Sequence, residues 1–132
     1  MRQVSLREVC SQSRDQVRSG DRPELKYVGL ESIESGTGEL VNGDLSKRPE
    51  TPRAASFHFD KRHVLYGKLR PYLNKVVGPE FEGKCSTELV PLLPSEDLDR
   101  RYLAYFLRSP ATVQSITVRT AGSRMPRADM RF

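Results

Sequence analysis

His63–Gly78 reads HVLYGKLRPYLNKVVG. It opens as a buried strand does, with Val64, Leu65 and Tyr66, and then sets Lys68, Arg70 and Lys75 among aliphatic and aromatic neighbours. Gly67 allows a bend or a close backbone approach. Pro71 has no N–H to give to a ladder, so it places the end of this strand at an edge or a bulge. The wider segment Lys61–Pro79 carries five basic residues and no acid. Basic groups in that density neutralise phosphates and release counterions, and Tyr66 and Tyr72 between them offer surfaces for sugars or bases. On pattern alone the segment fits equally well an ordinary edge strand kept soluble by its lysines.

Outward from this stretch the chain alternates little. AASFHFD (54–60) reads as a strand turning at Asp60–Arg62, and CSTELVPLLP (85–94) as another, broken by prolines. Upstream, LKYVGLESI (25–33) has the β-favouring Tyr27, Val28 and Ile33. VSLREVC (4–10) predicts a helix start, with Ser5 as N-cap, Glu8 reaching back, and Val4 and Val9 at the staple positions. Glu34–Arg53 is a long polar loop in which Asn42-Gly43 suits a type I′ turn. SEDLDRRYLAYFLRSP (95–110) predicts a helix capped by Ser95, with Leu98, Tyr102, Tyr105 and Phe106 on one face expected to pack in the core. Ser109-Pro110 opens a second helix, with Val113, Ile116 and Thr120 inward and Gly122 as its stop. Strands and helices do not alternate, so the expected class is α+β: a small mixed or antiparallel sheet with long loops, packed on a few helices.

The 132 residues are a single-domain length, and no apolar run approaches the roughly 18 residues of a membrane helix. The N-terminus lacks the apolar core of a signal peptide, which makes the cytoplasm the expected location. Cys10 and Cys85 are too far apart in sequence for a close pair of zinc ligands and are expected to be reduced, partly buried thiols. His58 and His63 have no carboxylate or thiol at metal spacing, and the Gly-Thr-Gly of the long loop is followed by no Lys-Ser/Thr. Glu82-x-Lys84 matches the tail of a nuclease-like acidic motif, for which Asp60 is the available upstream acid. No complete catalytic constellation is present, and no cofactor is expected. Net charge is +5, the pI is about 9.5, and 16 of the 22 basic residues are arginine, the side chain whose planar fork suits phosphates and guanine edges. Charge is sorted: six acids and one lysine lie in Glu80–Asp99, and seven arginines and one acid in Arg100–Phe132. Sorting of this kind points to one positive face.

Four segments in order resemble the target recognition domain of the specificity subunit of type I restriction-modification enzymes. They are VLYGKLRPYLNKV (64–76), GKCSTELVPLLP (83–94), the YLAYFLRS helix (102–109) and GSRMPR (122–127). YVGLESIESGTGEL (27–40) is similar to that family's first strand and loop. A Gly-Asp-like turn usual before the VL strand is replaced here by Arg62-His63. The resemblance implies double-stranded DNA as ligand, one half of a bipartite target as the sequence read, and a non-catalytic role beside separate modification (DNA methyltransferase) and restriction subunits. It also implies a spacer helix and a second such domain. Residues 1–132 are therefore expected to be one recognition domain of a longer subunit, or a half-length protein that pairs with a second specificity half or with its own copy. Within this reading Lys68, Arg70 and Lys75 are expected at phosphates, with Tyr72 beside them, and Arg124 and Arg127 near the duplex. Base readout falls to the loop from Gly36 to Arg53, where Asn42, Lys47 and Arg48 have the side chains that pair with adenine and guanine. Two other readings compete: a protein-interaction module docking through the Tyr102, Tyr105 and Phe106 helix, and a nuclease working through Glu82 and Lys84.

Overall fold

The computed structural model describes residues 9–41 and 55–119. The helix expected from Ser5, the Asn42-Gly43 turn, and Lys47, Arg48, Arg124 and Arg127 lie outside the described residues. Among the described residues there are eight strands: β1 (Cys10–Gln12), β2 (Gln16–Val17), β3 (Lys26–Val28), β4 (Ser56–Phe59), β5 (Val64–Gly67), β6 (Val76–Val77), β7 (Gly83–Cys85) and β8 (Leu89–Pro94). Two helices follow, α1 (Arg100–Arg108) and α2 (Pro110–Arg119). The strands form not one sheet but two of four strands each. One, ordered β1-β8-β5-β6, is antiparallel throughout; the other, β2-β4-β7-β3, is mixed, with β3 parallel to β7.

β5 organises both. It lies inside the first sheet and is buried on both faces, which is why its sequence reads as an unbroken apolar run. Val64 and Tyr66 face one way and join Val76, Val90 and Leu92 under Leu103, Ala104, Leu107 and Ile116 of the helices. Leu65 faces the other way and meets Val28, Ile33, Phe59, Val77, Cys85 and Leu89 between the sheets. The layers are therefore helices, antiparallel sheet and mixed sheet. Each side chain wholly withdrawn in these two clusters contributes about 1.5–3 kcal/mol.

Several sequence expectations are corrected. The strand expected to run to Leu73 ends at Gly67, and Pro71 opens a 3-10 turn, Pro71–Leu73, rather than an edge. The segment Leu25–Ile33 holds only a three-residue strand before a 3-10 turn at Leu30–Ser32. CSTELVPLLP is split by a turn in which Leu89 N–H donates to Ser86 O (3.0 Å). Pro91 sits within β8 because its peptide faces β1: Ser13 N–H donates to Pro91 O (2.8 Å) just past the end of β1, so the absent donor falls where that pairing stops. Asp99, not Ser95, caps α1, its carboxylate accepting from the N–H groups of Arg101 (2.7 Å) and Tyr102 (3.3 Å). Ser109 and Pro110 open α2 as expected, with Ser109 Oγ accepting from Thr112 N–H (3.4 Å). Gly83 is required by packing, since a Cβ there would lie 2.6 Å from Lys26 O and 2.8 Å from a Phe59 ring carbon.

Candidate nucleic-acid interface

The chain leaves β5 through a tightly held loop. Gly67 N–H donates to Lys75 O (2.8 Å) and Lys68 N–H to Glu88 O (3.2 Å), closing the neck. Gly67 faces no open surface: a Cβ there would lie 3.0 Å from both Leu30 Cδ2 and Lys75 O. Beyond the neck, Arg70 (φ 50) and Asn74 (φ 54) are left-handed and bracket the 3-10 turn. Asparagine accepts that conformation readily; arginine does so at a cost that the surrounding bonds must cover. Asn74 supplies those bonds. Its carbonyl accepts from Gly36 N–H (2.8 Å), and its Nδ2 donates to Arg108 O (3.0 Å) at the end of α1. One residue thus latches the turn to the Gly36 loop and to a helix terminus.

The latch decides which expected contacts reach solvent. Arg70 is exposed, and Tyr72 beside it is 49% exposed. Lys68 is half-buried at the strand end. Lys75 is turned inward, its ammonium donating to Leu30 O (2.8 Å) in the neighbouring 3-10 turn. Tyr66 belongs to the core, where burial pushes its hydroxyl pKa up. Arg70 and Tyr72 are therefore brought together on the turn, whereas Lys75 and Tyr66 serve the fold. The described part of the proposed reading loop, up to Val41, folds back on itself through an Ile33–Leu40 bridge and a Glu34 N–H bond to Glu39 O (2.9 Å).

α1 differs most from its expected orientation. Leu103, Ala104 and Leu107 face the core, while Tyr102, Tyr105 and Phe106 are 56%, 69% and 43% exposed. The aromatic face expected to pack inward is an outer surface. Two residues that sequence reasoning passed over, Arg101 and Arg108, flank it. Their signal was present as a seven-residue spacing, which puts both on one side of a helix.

The nuclease-like residues are engaged otherwise. Lys84 is buried and its ammonium donates to Asp21 O (3.1 Å) and Arg22 O (3.0 Å). Glu82 Oε2 lies 2.6 Å from His58 Nε2, and Asp15 approaches the other ring nitrogen at 3.6 Å, beside an open crevice of about 470 Å³. Among the described residues no His, Cys, Asp and Glu side chains gather as a metal site. Asp60 holds the turn before β5. The Arg62 guanidinium bonded to it keeps its carboxyl well below the usual range, and Asp60 N–H donates to His63 Nδ1 (3.0 Å). That bond places the imidazole proton on Nε2, which donates to Ser13 Oγ (2.9 Å). The Arg62-His63 variant of the turn is thus a closed network. Neither cysteine is in a disulfide; burial raises the thiol pKa of Cys10 to about 11 and of the fully buried Cys85 to about 12.

Comparison with known proteins follows the same lines. No protein-family model matches the chain. An 83-residue segment, 63% of this chain, is 30% identical to the type I restriction enzyme EcoDI specificity subunit of Escherichia coli, of which it covers 18%. The fold matches the HsdS subunit from Thermoanaerobacter tengcongensis with a TM-score of 0.71 at 23% identity, over 96% of this chain and 34% of that one. A chain solved in work on complex assembly and conformational transition of the type I R-M system matches with a TM-score of 0.72 at 22% identity, over the same shares. The chain spans about a third of those solved chains. Its α+β architecture is that of those solved chains, and an 83-residue segment of it is similar in sequence to a type I restriction enzyme specificity subunit.

Proposed function

We propose that the chain is a DNA target recognition domain, reading one half of a bipartite duplex sequence for a type I restriction-modification system. The observation that carries this is the sequence likeness to a specificity subunit, coincident with the specificity-subunit fold over nearly the whole chain. The exposed Arg70–Tyr72 turn, latched to the Gly36 loop, supports it with an exposed cation and aromatic beside a segment of largely polar sequence. In this reading residues 1–132 are a single recognition domain. The second half-site is read by another specificity half or by a second copy. Methylation and cleavage belong to modification and restriction subunits, and the chain brings no cofactor of its own. It acts in the cytoplasm, where its target is; no helix among the described residues is long and apolar enough to cross a membrane. Base readout is assigned to the Gly36–Arg53 loop, with Asn42, Lys47 and Arg48 as readers and Arg124 and Arg127 near the duplex.

The exposed aromatic face of α1 supports an accompanying role. Tyr102, Tyr105 and Phe106 form the kind of aromatic surface found at protein interfaces and would dock a subunit of the same complex. The test is to co-express the chain with modification subunits and sequence the methylated sites of the host. A methylated motif that changes when Gly36–Arg53 is exchanged is the expected result. Methylation that ignores the exchange removes the loop as reader, and absence of both methylation and duplex binding removes the function.

A further inference from the structure

A narrow crevice of about 140 Å³ lies where α1 passes the Gly36 loop and the end of β6. Its floor is made of residues with little or no side chain: Gly38, Gly78 and Ala104. Gly38 has φ +77, a left-handed backbone that favours glycine, and a Cβ there would collide with the Arg108 guanidinium. Arg108 therefore rests on the crevice because position 38 is empty.

The charges do not cancel. Arg100 is committed: it donates to Pro79 O (2.8 Å) and to Glu80 Oε1 (2.7 Å), which neutralises the carboxylate of the lining. Arg101 and Arg108 remain, and neither has an ion pair or hydrogen bond from its side chain to a described residue. Seven residues apart, they stand about 10 Å from each other along one side of the helix, with Ala104 between. Two free guanidinium forks over a shallow, small-residue floor suit anionic oxygens and leave no room for a bulky group. The Arg70–Tyr72 turn is tied to the segments on either side of the crevice, because Asn74 bonds both Gly36 and Arg108.

Resting on the DNA-binding reading above, we propose that Arg101 and Arg108 hold neighbouring phosphates of one DNA strand in this crevice, fixing the register of the duplex against the Gly36 loop. They position and do not read bases.

The test uses the full chain and fluorescence anisotropy with a duplex across a range of salt. Arg101→Gln and Arg108→Gln should each lower the slope of log K against log salt by about 0.9, an affinity loss of roughly eightfold at 0.1 M salt, on selected and random duplexes alike. Arg108→Lys keeps the charge and should keep the slope, which separates electrostatic contact from a packing defect at Gly38. Arg18→Gln, an exposed change at the larger crevice, should leave binding unchanged. If wild type binds duplex and both glutamine variants bind with the wild-type slope, the proposal is wrong while the DNA-binding reading stands. If wild type binds no duplex at any salt, both fall. Inorganic phosphate at constant ionic strength should not displace the duplex. Displacement from wild type but not from the glutamine variants would make the crevice a free-phosphate site and overturn the proposal.

Discussion

Lys75 separates a structural cation from a DNA-binding one. Its ammonium donates to Leu30 O at 2.8 Å, and its stem lies against Gly67. Lys75→Met keeps the stem and removes the donor. A hydrogen bond from a charged group contributes about 1.5–3 kcal/mol when its loss strands the partner. Leu30 O is not stranded, because Ile33 N–H also reaches it at 3.2 Å, and the lysine is only half-buried. The expected loss is therefore about 1–1.5 kcal/mol. With a urea dependence of about 1.5 kcal/mol per molar, the unfolding midpoint should fall by roughly 0.7–1 M. The salt slope of duplex binding should be unchanged, whereas Arg70→Gln, on the exposed turn, should lower it by about 0.9 at little expense in stability. A Lys75→Met variant of wild-type stability that loses slope would refute the assignment and return this lysine to the DNA.

Two further outcomes test the packing and the β4–β5 turn. Leu103→Ala should cost about 2–5 kcal/mol in urea titration, while Phe106→Ala, with its ring 43% exposed, should cost no more than about 1.5 kcal/mol; the reverse order would mean that α1 is rotated. Burial lowers the folded-state pKa of His63 below its ordinary 6.5, so the unfolded chain takes up the proton first as pH falls. The stability due to the neutral ring is present above pH about 6.5 and is lost as pH drops toward the folded value, so the advantage of wild type over His63→Gln should narrow between pH 7.5 and 5.5. A widening gap would mean that the ring is charged in the fold.

How far the sequence foretold this depends on what each residue had to report. β5 was legible because burial on both faces leaves an uninterrupted apolar run. The division into two sheets was not, because strands of two to six residues carry too little period to show which partner they choose. α1 was legible as a helix but not in its orientation. Its inner stripe includes Ala104, which adds little to a hydrophobic pattern, and the aromatic residues outweighed it though they lie on the outer side. Arg70 and Tyr72 are exposed because the left-handed residues around the Pro71–Leu73 turn carry them away from the strand. The inward turn of Lys75 was hidden, since its partner Leu30 lies 45 residues away.

The same short strands give some of the basic residues a structural use. A strand of two or three residues ends almost as soon as it begins, and every end leaves carbonyls that need donors. Long cationic side chains supply them. Lys75 serves Leu30, Lys84 serves Asp21 and Arg22, and Arg100 serves Pro79 with a longer bond to His63 O. These three count toward the net charge of +5, yet each has donors fixed toward backbone carbonyls, Arg100 also pairs with Glu80, and Lys84 is 4% exposed. A positive total is therefore weak support for DNA binding in this architecture. Support comes from cations that the fold leaves over, such as Arg70 on the latched turn and Arg101 and Arg108 on α1. The two groups answer different measurements. Removing a carbonyl-bound cation should lower stability and spare the salt slope, and removing a leftover arginine should do the reverse. A set of variants in which the two effects always moved together would show that the cations do not divide in this way.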